Sequence, residues 1–296
     1  MAPRLSLLGL CLAAAIASAQ ETLPLLPKWT RFQGELVSLK AYDNPIQDVQ
    51  LKVVFTSPAD EQYEVDGFWD GGNDWKIRFL PDLAGKWTFH ITCSDEENRG
   101  LHNLTGAFRC TAPLGGNAFS QHGPIRVSRD RTHFVHEDST PFFWMADTAW
   151  NGPLKSNEFD WKHYLSERKR QGFTAVQWVA TSWRGASDGD AEGNKAFDGR
   201  EKISINPEFF QRLDRRVEAI NNAGLLSVPV LLWAIRGDEN PGNLLPDDQA
   251  VLLARYMVAR WGATYGAWFL GGDGDYSGTR AARWRTLGQA VFGDGR

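Results

Sequence analysis

The feature that most limits how this chain can fold is a change of hydrophobic period near residue 112. Before it, from about residue 28, apolar and polar residues alternate in short runs, which are separated by turn residues such as the DGGN at 70–73. Several short alternating strands with no helical segment between them predict an antiparallel β-sandwich, and we expect an immunoglobulin-like one. From residue 141 onward, near-continuous apolar runs alternate with helical patterns, as in parallel sheets covered on both faces. The sequence therefore predicts a multidomain protein, with an antiparallel β domain followed by an α/β domain.

The α/β part contains four strand candidates, which are apolar runs at residues 142–146, 174–180, 225–233 and 267–270. Helical patterns fill the gaps between them, and Asn206-Pro207 is a strong signal for the start of one helix. Pro229 interrupts the third run, so we expect that strand to be bulged or to start later. Four βα units cannot close an eight-stranded barrel, which needs about 250 residues. The residue pattern alone leaves two architectures open: an open doubly wound sheet, or the first half of a TIM-type barrel.

The first 19 residues have the pattern of a secretory signal peptide. Arg4 provides positive charge, residues 5–16 form an apolar stretch too short to span a bilayer, and Ala17-Ser18-Ala19 fits a cleavage site. We therefore expect a secreted, extracellular protein with no membrane contact after cleavage. The predicted domains are a signal peptide at 1–19, a β-sandwich at 20–112, a linker at 113–123 and the α/β domain at 124–296.

Composition limits the class of partner. The formal net charge of -4 argues against a nucleic-acid-binding protein, because such proteins carry basic patches that displace counterions from phosphates. The chain has 13 tryptophans, whose flat apolar rings suit both core packing and stacking on sugars. HExxH, GxSxG and phosphate-loop patterns are absent, and His133 and His136 would point to opposite faces of their strand, which disfavours a shared metal. We expect neither a metal nor another cofactor, and a carbohydrate is the favoured partner.

Two cysteines, Cys93 and Cys110, remain after removal of the signal peptide, in an oxidising compartment. Each lies in phase with the apolar residues of its predicted strand, so both thiols would point into the sandwich. We expect them to form a disulfide, and the alternative is two free buried thiols. Between them, Asn103-Leu104-Thr105 fits the N-glycosylation pattern, which predicts an exposed hairpin loop at Asn103 if it is used.

The candidate site lies where the predicted parallel strands end. The run AWFLGGD at 267–273 places Asp273 just past the fourth strand, and Asp147 follows the first. Carboxylates framed by indoles are what cleavage of a glycosidic bond requires, since one acid protonates the leaving oxygen and a second carboxylate attacks or activates water. Each Asp could instead be a capping or turn residue. The further residues predicted to line the site are Trp150, Gln177, Trp178, Trp183 and Trp233.

Three motifs of the C-terminal part resemble the apiosidase-like glycoside hydrolases: PFFWMADTAW at 141–150, RKRQGFTAVQ at 168–177 and WFLGGD at 268–273. The N-terminal part is similar to the β-sandwich module that often precedes such catalytic domains, through NPIQDVQLKVVFTSP, GFWDGG and KIRFLPDLAGKW. Together the two resemblances cover most of the chain after the predicted signal peptide. They imply a (β/α)8 TIM barrel of which about the first four βα units are present.

The resemblance also implies a retaining two-carboxylate hydrolase with its acid/base at the end of strand four, which falls on Asp273. It implies a nucleophile, a Glu in the family, near the end of strand seven, which we expect beyond Arg296. The chain is thus expected to be a secreted glycoside hydrolase acting on plant cell-wall or related polysaccharide, and to be inactive without that second carboxylate. The alternative is a non-catalytic extracellular carbohydrate-binding protein. A half barrel leaves strand edges unpaired, so we also expect an oligomeric or aggregation-prone product.

Overall fold

In the computed structural model, which describes residues 23–235 and 240–293, the chain forms an N-terminal part of two β-sheets and a C-terminal part built on a parallel sheet. The predicted signal peptide lies outside the described residues. The elements of the N-terminal part are β1 (Leu25–Pro27), β2 (Phe32–Val37), α1 (Pro45–Asp48), β3 (Leu51–Thr56), β4 (Gln62–Asp66), β5 (Phe68–Gly71), β6 (Asp74–Phe79), β7 (Gly85–Cys93) and β8 (Leu104–Thr111).

The two N-terminal sheets share one apolar core. Five strands pair in the order β1-β8-β7-β3-β4, and three pair in the order β2-β6-β5. The alternation in the sequence explains the packing, because Val53 and Phe55 of β3, Ile77 of β6 and Trp87 of β7 are all buried in this core. The N-terminal part is thus a two-layer β domain in which β1 runs parallel to β8. Its immunoglobulin-like topology stays a prediction.

The predicted disulfide is wrong, because Cys93 and Cys110 are both free buried thiols. Cys110 pairs with Gly85 at the start of β7, whereas Cys93 is the last residue of β7. The offset from residue 85 to residue 93 corresponds to roughly 26 Å at about 3.3 Å per residue. A disulfide needs Cα atoms within about 7 Å. Both thiols do point inward, as predicted. Alternation along a strand, however, does not determine which residues of β7 and β8 lie opposite each other.

The C-terminal part begins with a short capping segment and continues into alternating strands and helices. The first strand of its parallel sheet starts later than predicted, at Ala146, because Pro141 and Phe142 pair with a neighbouring hairpin strand instead. The elements are α2 (Ala118–His122), β9 (Ile125–Val127), β10 (Phe134–His136), β11 (Pro141–Phe142), β12 (Ala146–Thr148), α3 (Gly152–Lys155), α4 (Glu158–Arg170), β13 (Ala175–Val179), β14 (Phe197–Asp198), β15 (Ser204–Ile205), α5 (Pro207–Asn222), β16 (Leu226–Leu232), α6 (Pro241–Leu244), α7 (Asp247–Trp261), β17 (Phe269–Gly271) and α8 (Gly278–Phe292).

The parallel sheet has the strand order β12-β13-β16-β17. Pro229 lies opposite Trp178 with no shift of register, so β16 is not bulged there. Alternate residues face the helices, where Val176 and Trp178 join the core formed with α5 and α7. The other face carries Thr148 and Gln177, which lie side by side in register.

The two parts of the chain meet along a buried interface. Ile46 of α1 and Phe68 of β5 belong to the same apolar core as helices α5 and α7. Four charged groups, two from each part of the chain, form connected ion pairs at this interface, and the guanidiniums of two of them, Arg78 and Arg260, lie over the Phe68 ring. We call these four the seam: Asp70, Arg78, Asp214 and Arg260.

Asp214 lies at the centre of the seam. Its carboxylate accepts hydrogen bonds from Arg78 Nη2 at 2.8 Å, from Arg260 Nε at 2.8 Å and from Trp261 Nε1 at 2.7 Å. Arg260 Nη2 also lies 2.7 Å from Asp70 Oδ1. Burial alone would raise the pKa of Asp214, but the charges of Arg260 and Arg78 outweigh it and hold that pKa below its usual range. Each charge of the seam is therefore in contact with an opposite charge, as buried ions require.

The predicted linker is docked against the α/β part. It contains α2, whose cap residue Asn117 accepts a hydrogen bond from Phe119 N at 3.0 Å. Asn117 Nδ2 also donates to the carbonyl of Asn221 at the end of α5, at 2.8 Å. The Phe119 ring stacks on Tyr265 at 5.0 Å and packs in a small core with residues at the start of β13 and β16. The segment thus covers the N-terminal end of the parallel sheet.

Candidate active site

The C-terminal ends of the four parallel strands lie at one edge of the sheet, which we call the strand-end face. Trp150 follows β12, Trp183 follows β13, Trp233 follows β16 and Asp273 follows β17. All four were predicted as site residues. In open α/β sheets and barrels this edge is where ligands bind.

Three of the predicted tryptophans form one aromatic cluster at the strand-end face. The centroid of the Trp233 ring lies 5.0 Å from that of Trp150 and 4.5 Å from that of Trp183. Trp183 Nε1 donates to Asn151 Oδ1 at 2.6 Å, which fixes its ring. Trp183 and Trp233 are only 5% and 1% exposed, whereas Trp150 is partly exposed. Trp150 is therefore the member of the cluster with surface left for stacking on a ligand.

The turn that carries Asp273 lies between two aromatic side chains. A Cβ on Gly272 would come within 3.0 Å of the Trp233 ring, and one on Gly271 would come within 3.0 Å of the Tyr276 hydroxyl. The Tyr276 hydroxyl donates to the carbonyl of Gly272. Both glycines are thus needed for the close approach, and the two aromatic residues determine where the turn lies.

Asp273 is exposed, and among the described residues none donates a hydrogen bond to its carboxylate or forms an ion pair with it. Asp275, two positions on, is used differently: its Oδ1 accepts from Ser277 N at 3.0 Å and from Ser277 Oγ at 2.6 Å, and these bonds lower its pKa. Burial, together with the charge of Asp273, raises the pKa of Tyr276. Asp273 is therefore the carboxylate of this turn that is accessible to water or a ligand.

Two predicted site residues, Asp147 and Trp178, face the helices instead. Asp147 Oδ2 accepts hydrogen bonds from the Tyr164 hydroxyl at 2.6 Å and from Arg168 Nε, both on α4. Trp178 lies in phase with Asp147, since Asp147 pairs with Val176, and its ring packs against Trp261 of α7 at 5.5 Å. The structure does not bring these two side chains to the strand-end face, because residues alternate between the two faces of a sheet.

Asp147 is a paired, ionised group. Burial alone would raise its pKa, but the hydrogen bonds from Tyr164 and Arg168 outweigh burial and lower the pKa below its usual range. The Arg168 guanidinium also lies over the Tyr164 ring, 5.0 Å from its centroid. The three side chains together connect β12 to α4, a structural contact that differs from the capping or turn role considered for Asp147 above.

Gln177 is the remaining predicted residue, and it lies on the face opposite to Asp147, beside Thr148. Thr148, Phe269 and Tyr276 were not among the predicted site residues. Phe269 pairs with Val230 and is 37% exposed on β17. Strand alternation is the sequence signal for Thr148 and Phe269. Tyr276 has no signal beyond its closeness to the Asp273 turn.

The structure adds little on cofactors, membranes or glycosylation. Within residues 23–235 and 240–293, no group of three or more His, Cys, Asp or Glu side chains could hold a metal ion. In the same ranges, no helix has the length and apolar character needed to cross a bilayer. Asn103 is exposed in the β7–β8 turn with a φ of 56°, and its use as a glycosylation site stays a prediction.

Comparison with known proteins gives two family matches and several similar folds. The model of the apiosidase-like catalytic domain matches residues 128–294, and a domain of unknown function, DUF5060, matches residues 25–94. Among solved structures, a protein of Bacteroides vulgatus ATCC 8482 that is provisionally assigned as a glycoside hydrolase aligns at 21% identity and a TM-score of 0.76. The alignment covers 90% of this chain and 53% of that protein. No curated protein matches the chain.

A second solved structure, described as a glycoside hydrolase, aligns at 23% identity and a TM-score of 0.51, over 60% of this chain and 40% of that one. At these identities the likeness shows the fold alone. The chain spans about half the length of the Bacteroides protein, 53%. The catalytic-domain match at 128–294 is stronger evidence, because it covers more than half of the 296 residues. The chain therefore belongs to the apiosidase-like family, a family of glycoside-hydrolase type that implies a carbohydrate substrate.

Proposed function

We propose that this chain is part of a secreted retaining glycoside hydrolase that acts on plant cell-wall or related polysaccharide, with Asp273 as its acid/base. The observation that carries the proposal is the position of Asp273, exposed on a rigid turn at the strand-end face within the matched catalytic domain. The four βα units would form the first half of a TIM-type barrel. The similarity to about half of a longer protein, at a TM-score of 0.76, supports that architecture.

In this mechanism Asp273 acts twice. As the carboxylic acid it protonates the glycosidic oxygen, so that the leaving sugar departs as a neutral alcohol. As the carboxylate it then removes a proton from the water that releases the second sugar from the nucleophile. Its exposure lets it exchange protons with solvent between cycles. The described residues form four parallel strands, so the nucleophile that the resemblance assigns to strand seven is not among them.

The strand-end face also provides surface for a sugar. Trp150 is partly exposed, and Phe269 and Tyr276 are 37% and 40% exposed, so three aromatic side chains have accessible area close to the strand ends. Gln177 adds an amide that can donate and accept hydrogen bonds with sugar hydroxyls. Trp183 and Trp233 would support these groups from beneath, since both are buried.

The test is turnover of two aryl glycosides by the protein carrying its complete barrel, comparing wild type, Asp273→Asn and Asp275→Asn. Phenyl glycosides need a general acid, so Asp273→Asn should reduce their turnover by about 10²–10⁴-fold. Glycosides with a dinitrophenol leaving group do not need that acid, so their first step should survive, and added azide should restore product release. Asp275→Asn should behave like wild type.

Equal turnover of phenyl glycosides by Asp273→Asn and wild type would contradict the assignment of Asp273. Retention of the protein on cell-wall polysaccharide without release of reducing ends would favour the alternative, a non-catalytic carbohydrate-binding protein. Detection of the protein in the medium, with its N-terminus near residue 20, would test the proposed secretion.

A further inference from the structure

The N-terminal domain contacts the α/β part at a second place besides the seam. The connection between β13 and α5 contains a small hairpin, formed by β14 and β15. Two side chains of the N-terminal domain donate hydrogen bonds to the carbonyl of Ile203 in this hairpin. Asn44 Nδ2 does so at 2.9 Å and Gln47 Nε2 at 3.0 Å.

A residue of α7 completes this contact. Gln249 Oε1 accepts from the amide of Ile203 at 2.9 Å and from Gln47 Nε2 at 2.7 Å. Both backbone groups of Ile203 are thus satisfied by side chains from outside the hairpin. Ile203 is fully buried and Gln249 is 5% exposed, so water does not compete easily for these bonds. We call Asn44, Gln47 and Gln249 the clamp.

The clamped connection leads directly to the strand-end face. It begins just after β13 with Trp183, whose ring packs on Trp233. It ends at Asn206, whose amide donates to the carbonyl of Ala196 at 3.0 Å and whose side chain caps α5. The clamp therefore acts on the same connection that supplies one wall of the aromatic cluster beneath the Asp273 turn.

We propose that the N-terminal domain is a positioning element of the catalytic domain, in which Asn44 and Gln47 hold the β13–α5 connection in the conformation that forms the strand-end face. This assigns a role to the part of the chain that matches a domain of unknown function. The description of the α/β part as catalytic rests on the proposed function, whereas the positioning of the β13–α5 connection does not depend on it.

The seam stabilises the docked arrangement in which the clamp forms. Arg260 is fully buried and Arg78 is 5% exposed; across the interface Arg78 binds Asp214 and Arg260 binds Asp70. Separating the two parts would expose Phe68 and break both of these interdomain ion pairs, which is strongly unfavourable. The N-terminal domain is thus unlike a sugar-binding module on a free linker, and the seam favours the docked position of α1 against the hairpin.

The experiment is hydrogen exchange followed by mass spectrometry on the full chain, comparing wild type, Gln47→Ala and Gln50→Ala. Gln47→Ala removes two hydrogen bonds of the clamp, so amides in residues 196–206 should exchange roughly tenfold faster or more, at about 1 kcal/mol per bond. Amides of β3 and β7 should not change. Gln50→Ala is the matched control, since Gln50 is exposed on the same segment; its exchange should equal that of wild type.

Unchanged exchange of residues 196–206 in Gln47→Ala would overturn the proposal, and so would an equal acceleration throughout the chain. If Gln47→Ala does not fold, Asn44→Ala removes only one bond to Ile203 and should give a smaller acceleration of the same segment. A positioning role also predicts that Gln47→Ala raises the KM of the active enzyme while its kcat stays nearly constant. The exchange measurement needs no turnover, so its failure is distinguishable from failure of the proposed hydrolase function.

Discussion

The carboxylate at the centre of the seam and the one at the strand-end face lie in opposite environments. Asp214 in the seam accepts hydrogen bonds from two guanidiniums and an indole, and its pKa lies below the usual range. Asp273 at the strand-end face is exposed and has no hydrogen-bond or ion-pair partner among the described residues. Both belong to the same α/β part: Asp214 lies on helix α5, and Asp273 follows strand β17 of the parallel sheet. The carboxylate that we propose transfers protons is accessible, whereas the one that joins two domains is fully paired.

The comparison also concerns what surrounds each carboxylate. The seam is fixed by charges, while the Asp273 turn is fixed by packing, with Trp233 and Tyr276 on either side of Gly271 and Gly272. Aromatic contacts can hold a backbone turn without pairing the charge of the side chain that it carries. Substitutions at the seam should therefore affect stability first, and substitutions around Asp273 should affect activity first.

The largest effect is expected for Asp214→Asn, which leaves the buried Arg78 without its counter-charge and leaves Arg260 with Asp70 alone. We expect the free energy of unfolding to fall by about 3–5 kcal/mol, measured by urea denaturation at pH 7. The matched control is Glu64→Gln, which removes a partner of Lys52 in an ion pair that is 37% and 55% exposed. That change should cost less than about 1 kcal/mol. Equal losses of unfolding free energy for the two variants would contradict the prediction that the buried charges of the seam contribute more than an exposed ion pair.

The next effect is expected for Gly272→Ala. Its methyl group would overlap the Trp233 ring, so the turn must shift and the stability should fall by about 1–3 kcal/mol. Because the turn carries Asp273, turnover of phenyl glycosides by the complete enzyme should fall as well. Gly115→Ala is the control, since a Cβ there meets nothing within 4 Å. A fully active Gly272→Ala variant would contradict the packing argument.

A smaller effect, with a pH signature, is expected for Asp147→Asn. The pKa of Asp147 is lowered in the folded state, so its ionised form contributes stability above its unfolded pKa of about 4. This contribution is lost as the pH falls through the folded pKa. Asp147→Asn should cost about 1–2 kcal/mol at pH 7, and the difference from wild type should shrink as the pH falls below about 4. Thermal melts from pH 3 to pH 7 would show it.

The smallest effect is expected for reduction of the protein. Cys93 and Cys110 are free thiols, and burial raises the pKa of both. A reductant should therefore leave the melting temperature unchanged, and alkylation in denaturant without prior reduction should modify both cysteines, as seen by peptide mass spectrometry. A peptide linked through both cysteines would contradict the β7–β8 register.

The division of the chain into a β part and an α/β part was predictable, because the hydrophobic period changes and the change reflects which faces are buried. The start of α5 was also predictable, since Asn206 caps it and Pro207 follows. The gathering of Trp150, Trp183 and Trp233 at one edge followed from the parallel direction of the strands. These predictions depend on local chemistry or on strand direction alone.

What could not be predicted depends on register and on distant partners. The separation of Cys93 from Cys110 is a matter of where β7 and β8 pair. The orientation of Asp147 depends on which face of β12 meets α4. The alternating pattern of β6 predicts that the Arg78 side chain points outward into solvent. It is buried instead, because it pairs with Asp214, which lies 136 positions later in the chain. No local pattern contains such information.

The docked segment around Asn117 has a consequence for how this protein can be recombined. Modular enzymes are often rearranged by joining domains at their linkers, where few contacts are lost. Here Asn117 bonds Asn221 and Phe119 stacks on Tyr265, so a junction placed after Asn117 would break one or both of these contacts with the α/β part. A chimera that receives only one part would also inherit one half of the clamp and one half of the seam. The two parts should therefore be transferable between proteins only as a pair.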